Sequence, residues 1–114
     1  FISVNDIKKL KIPIIWTMHD LWPVCGAEHL PVGMDYSEGY RNQKGILNFN
    51  RLVFEKKREI YKSHNITFVV PSNYMKEAAL KSPLTENKEI YVIPNSLDLN
   101  LYKPFDQNTI RNKL

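Results

Sequence analysis

Apolar positions along this chain fall into three short dense runs separated by longer mixed stretches. Ile14-Ile15-Trp16-Thr17-Met18, Ile66-Thr67-Phe68-Val69-Val70 and Ile90-Tyr91-Val92-Ile93 are β-branched or aromatic for most of their length. Runs of this length and composition predict buried strands. Pro13 bars a helix before the first run, and Pro71 and Pro94 stop the second and third. Between the runs the spacing becomes helical. Ile2, Ile7 and Leu10 predict a short helix over 2–10. Phe49, Leu52, Val53 and Ile60 predict the apolar side of a helix over 46–63, with Arg51, Lys56, Lys57, Arg58 and Lys62 on a basic side. Ser72 is placed to N-cap a helix running to about Lys81, and a last helix begins near Asp106.

The stretch 21–45 follows neither period. It holds Pro23, Pro31 and all four glycines, Gly26, Gly33, Gly39 and Gly45. It predicts a long irregular loop, of the sort that is often functional in a small domain. The resulting order is helix, strand, loop, helix, strand, helix, strand. Strands alternating with helices predict an α/β fold, part of a Rossmann-like parallel sheet with helices covering both faces. Three strands alone leave open edges, and both chain ends fall inside helical patterns. The chain therefore reads as a piece of a larger domain.

Composition narrows the class only modestly. The 114 residues are enough for one domain, and 43% hydrophobic with 25% charged residues is ordinary for a globular protein. A net charge of +4 suits proximity to phosphates or an anionic membrane surface without requiring either. Cys25 is the sole cysteine, so no internal disulfide forms, which fits a reducing, cytoplasmic setting. No apolar run has the length of a membrane span.

Parallel α/β sheets bind ligands beyond the carboxyl ends of their strands. Those ends carry His19-Asp20, Pro71-Ser72-Asn73 and Pro94-Asn95-Ser96. His19 can donate to a phosphate or hydroxyl. Asp20 orients a sugar hydroxyl or caps a turn. Ser72 caps a helix whose N-terminal amides can meet an anion. Asn95 either contacts ligand or closes an Asx-turn. A different grouping is open as well. His19, Asp20, Cys25, Glu28 and His29 lie within eleven positions and are all metal-ligand types, although no second cysteine completes a compact zinc module. A non-catalytic α/β binding fragment is the other alternative. Aromatic residues on the basic helix do not form a stacking platform, which argues against nucleic acid.

At these same residues the chain resembles the family-four retaining glycosyltransferases of the GT-B fold, closest to bacterial members that build surface polysaccharides. The matching pieces are Ile14 through Pro23, Gly26-Ala27-Glu28-His29, Val69 through Tyr74, Val92 through Asp98, Tyr102-Lys103-Pro104 and Arg111. In order and spacing they cover nearly the whole chain. The resemblance implies that residues 1–105 are part of the N-terminal, acceptor-side domain and that 106–114 begin the linker to a C-terminal donor domain absent here. It implies transfer from a nucleotide-sugar, a substrate rather than a cofactor, to a saccharide or lipid-linked acceptor. No metal is required, and His19 lines the cleft as the catalytic residue; from their place at the strand ends, Asp20, Ser72 and Asn95 are the expected substrate contacts. Peripheral contact with the anionic inner face of the cytoplasmic membrane is implied for the basic helix. The chain departs from the pattern where the family has Pro-Asn-Gly and this sequence has Pro94-Asn95-Ser96, and where relatives have Thr-Gly-Gly against Cys25-Gly26-Ala27. The family's glycine-rich loop after its first strand is absent. The paired-glutamate donor motif is absent too, since no two Glu residues lie eight positions apart.

Overall fold

In a computed structural model of the chain, residues 3–42 and 48–112 are described. The chain ends at Phe1 and Leu114, the first residue of the predicted 2–10 helix, Gly45, and positions 46–47 of the predicted 46–63 helix lie outside those residues. Seven elements follow in order. They are α1 (Val4–Ile7), β1 (Ile14–Thr17), α2 (Phe49–Lys62), β2 (Ile66–Val70), α3 (Asn73–Leu80), β3 (Ile90–Val92) and α4 (Gln107–Arg111). The three apolar runs are the three strands. They form one parallel sheet in the order β1-β2-β3, with Trp16 level with Phe68 and Phe68 level with Ile90. The fold is mixed α/β and partly Rossmann-like.

Strand parity decides which side is core. Met18, Ile66, Phe68, Val70 and Ile90 are buried, with Ile14, Trp16 and Val92 packed partly against them. On the opposite face Ile15 is 75% and Tyr91 52% exposed. The expectation of a sheet covered on both faces is therefore corrected: among the described residues only one face is covered. The strand order supplies the reason. Two right-handed crossovers that step in the same direction leave both connecting helices on the same side of a sheet. Burying a second face would need the strand order to reverse.

The covered face is filled by α2, α3 and the segment expected to be an irregular loop. That segment contains 3-10 turns at Trp22–Val24 and Asp35–Glu38, and its first part, 21–26, is mostly core. Leu21, Val24, Cys25, Tyr36 and Tyr40 are buried in it. Its trajectory matters because backbone carbonyls cannot be buried without donors. Each carbonyl from Trp22 to Gly26 finds one on a side chain distant in sequence. Lys57 Nζ donates to the carbonyls of Trp22, Cys25 (3.0 Å) and Gly26 (2.7 Å). The Tyr61 hydroxyl donates to Pro23 (2.9 Å) and the Ser82 hydroxyl to Val24 (2.6 Å). The amides of the same segment are held as well. Gly26 N–H donates to the Tyr40 hydroxyl at 2.8 Å, and Ala27 N–H to Asn50 Oδ1 at 3.0 Å.

This corrects the expected polarity of α2. Phe49 and Leu52, placed on its apolar side, are 66% and 60% exposed, whereas Lys57, placed on its basic side, is fully buried. The buried stripe is Phe54, Lys57, Ile60 and Tyr61, a helical spacing with an ammonium at its centre. Lys57 Nζ also sits 3.8 Å from the centroid of the Trp22 ring, whose negative face favours a cation. Burial pushes the Lys57 ammonium down to about 7. The three carbonyls act against that shift, because only the charged form has three N–H groups to give. A second lysine closes the end of the helix. Lys88 Nζ donates to the carbonyls of Tyr61 (2.7 Å) and His64 (2.8 Å).

Beyond β3 the chain leaves the packed body. Residues 93–112 are all exposed, and α4 is capped by Asp106, whose carboxylate accepts from Thr109 N–H at 2.8 Å. The radius of gyration, 18.4 Å, accordingly exceeds the ~13 Å of a compact domain of about this length. Among the described residues no helix is long and apolar enough to cross a membrane.

Two substitutions test this packing. Lys57→Met leaves the Cys25 and Gly26 carbonyls without a donor, while Trp22 O keeps only the 3.3 Å bond from Cys25 N–H, at about 1–3 kcal/mol for each unpaired carbonyl that stays buried. The segment is then expected to open about tenfold more often or more, read as faster labelling of Cys25 by a thiol reagent. An unchanged labelling rate would show that the lysine does not hold the segment. At Gly26 an added Cβ would lie 2.5 Å from the Asn50 carbonyl oxygen and 2.7 Å from its Cα. Gly26→Ala is expected to cost about 1–3 kcal/mol in urea unfolding.

Candidate functional site

All three strands run parallel, so their carboxyl ends open on one edge of the sheet. The last rungs of the ladder are Met18 N–H to Val69 O (2.8 Å) and Ile93 N–H to Val70 O (2.9 Å). His19 and Asp20 follow the first directly, Ser72 follows β2, and Asn95 follows the second.

His19 is exposed, and among the described residues no hydrogen bond or ion pair engages its ring. The reason lies one residue earlier. Met18 is 1% exposed and takes the inward position of the strand, so alternation turns its neighbour outward. Asp20 is half-buried and already engaged. Its Oδ1 accepts from Trp22 N–H at 2.9 Å, which closes an Asx-type turn, and its Oδ2 lies 2.6 Å from His29 Nδ1. Of the two roles open to Asp20, the structure contains the turn cap. His29 was set among metal ligands by the sequence, yet here it partners a carboxylate and stacks on Trp22, with ring centroids 6.2 Å apart and planes at 23°. Leu21 N–H donates to the His29 carbonyl at 3.0 Å, so residues 20–22 and 29 are pinned together. Nothing in the pattern of apolar positions signals that contact. It depends on how the 21–29 segment turns, and Lys57 and Tyr40 fix that turn.

Ser72 is the N-cap of α3, with Oγ accepting from Met75 N–H at 3.3 Å. Asn95 is exposed, and among the described residues its side chain makes no hydrogen bond, so the alternative Asx-turn is not formed there. The departure at Ser96 brings no backbone strain. The described non-glycine residues at positive φ are Tyr40 and Asn87.

The grouping of metal-ligand types is taken apart by the fold. Cys25 is fully buried, and burial first, then the nearby Glu28 charge, push its thiol up to about 12. A buried thiol held neutral in this way is a poor nucleophile at neutral pH. Glu28 Oε1 accepts from the Tyr40 hydroxyl at 2.5 Å. Among the described residues no group of three His, Cys, Asp or Glu side chains could hold a metal ion. The third histidine is structural. His64 lies with Nδ1 2.8 Å from the Ile60 carbonyl and Nε2 3.1 Å from that of Leu10.

The edge thus presents His19, His29 and Asn95 to solvent, with Asp20 and Ser72 shaping the backbone behind them. No protein family, no curated protein and no solved structure matches this chain.

Ser72→Ala separates capping from ligand contact. Loss of the cap is expected to cost ~1 kcal/mol of stability, read as a lower urea midpoint. An unaltered midpoint would leave the hydroxyl free for another role.

Proposed function

We propose that this chain supplies the acceptor-side part of a retaining glycosyltransferase. The enzyme would move a sugar from a nucleotide-sugar to a saccharide or lipid-linked acceptor during polysaccharide assembly at the cytoplasmic side of the membrane. One observation carries the reading. Three turns that resemble those of family-four glycosyltransferases stand at the carboxyl ends of adjacent parallel strands, the edge at which open α/β sheets hold ligands.

In this reading His19 meets the acceptor or the transferred sugar at the mouth of β1. Its exposed ring, without a partner among the described residues, leaves both nitrogens available to a hydroxyl or a phosphate oxygen. Asp20 serves the same site by fixing the turn behind it, and Ser72 by starting α3 at the neighbouring strand end. Asn95 lies exposed just past β3 and reaches ligand directly. The donor nucleotide belongs to a second α/β domain outside these residues, facing this edge across a cleft. Stabilisation of the departing phosphate falls to that domain. The reaction requires no metal in this reading.

His19→Ala, in the enzyme that carries both domains, is expected to lower kcat by about 100-fold. The folded state should persist, because an exposed ring with no hydrogen bond or ion pair among the described residues contributes little to stability. Turnover near the parent value, measured as sugar transfer from the nucleotide donor, would remove His19 from the mechanism.

A further inference from the structure

We propose that His29, held by Asp20 against Trp22, is a second ligand-binding residue at the mouth of β1, its Nε2 accepting a hydrogen bond from a sugar hydroxyl. The tautomer follows from the carboxylate. An ionised Asp only accepts, so the 2.6 Å contact between Asp20 Oδ2 and His29 Nδ1 requires the proton to sit on Nδ1. In the neutral ring the lone pair is then on Nε2. Asp20 is itself fixed, because its other oxygen takes Trp22 N–H at 2.9 Å. The imidazole lies along the Trp22 ring, and the His29 carbonyl is tied to Leu21 N–H. Its orientation is thereby set from both sides.

The ring nevertheless remains open. The His29 side chain is 69% exposed. The other two histidines lack this combination. His64 lies with both nitrogens against backbone carbonyls, and His19 is exposed with no hydrogen-bond or ion-pair partner among the described residues to orient it. An exposed His–Asp pair adds little to stability. Its larger effect is to preorganise one acceptor at the strand end where ligands bind. The carboxylate behind the ring disfavours an anion and favours a neutral donor. A sugar hydroxyl is that donor if the glycosyltransferase reading holds, and the ligand class rests on that reading while the tautomer does not.

The test uses nitrogen–proton correlation spectra of the imidazoles in the 114-residue chain at about pH 8, where a free imidazole is neutral. The proton of His29 is expected on Nδ1. Asp20→Asn keeps an oxygen for Trp22 N–H and turns an amide N–H toward the ring, so the proton is expected to move to Nε2. Added methyl glucoside is expected to shift the Nε2 signal of the parent chain and to bind about tenfold more weakly to D20N. A proton on Nε2 in the parent chain would overturn the proposal, and so would an Nε2 signal that methyl glucoside leaves unmoved. The two readings can fail separately. A responsive His29 in an enzyme that transfers no sugar keeps this site and removes the glycosyltransferase. Transfer with an unresponsive His29 does the reverse.

Discussion

The arrangement on which the rest of this structure depends is the ammonium of Lys57 enclosed by three carbonyls. A small domain rarely buries a charge, because the loss of hydration must be matched by hydrogen bonds and by a favourable field. Here the donors and acceptors match in number. Nζ has three N–H groups, and Trp22, Cys25 and Gly26 each offer an oxygen. The reverse dependence matters more. A stretch of backbone without helix or strand pairing can enter a core only if something else occupies its polar groups. Lys57, Tyr61 and Ser82 do this for five consecutive carbonyls, and so an irregular segment becomes a buried layer packed against α2.

That layer also builds the candidate site. Asp20 and His29 are the two ends of the segment, and they meet because the residues between them are fixed from below. Tyr40 contributes from further along, its hydroxyl accepting from Gly26 N–H while donating to Glu28. The aromatic rings of Trp16, Trp22, Tyr61 and Phe68 form one continuous contact from the sheet to the segment. The surface residues at the mouth of β1 therefore rest on a rigid floor, although several of them are themselves exposed.

Much of this was legible in the sequence wherever a single physical rule dominates. Ile66-Thr67-Phe68-Val69-Val70 is a strand because a short run of β-branched and aromatic residues, stopped by Pro71, packs best as a pleated core strand. Ser72 begins α3 because its hydroxyl stands in for a missing helical acceptor. The polar strand ends were found because parallel strands share a direction. The rest depends on contacts between residues far apart in the chain. Lys57 reads as a surface charge, since nothing local announces that three carbonyls thirty and more positions earlier surround it. The 21–45 stretch reads as an open loop, since Gly and Pro mark departure from regular pairing but say nothing of burial. The particular pairing of His29 with Asp20 was hidden for the same cause, and the sequence grouped His29 with His19, Asp20, Cys25 and Glu28 alike, by proximity. The uncovered sheet face was missed because alternation of elements fixes the type of sheet but not the direction in which successive crossovers step.

Parity along β1 joins core and chemistry more tightly than distance alone conveys. Trp16 and Met18 face the packed side, Ile15 and Thr17 the open one, and His19 is the next residue in that alternation. A slip of one position against β2 would exchange the two sets at once, sending Trp16 to solvent and turning the histidine inward. The indole and thioether that hold β1 in register are thus also what aims the imidazole. Selection on the reactivity of this edge would be felt first in residues that no ligand ever touches.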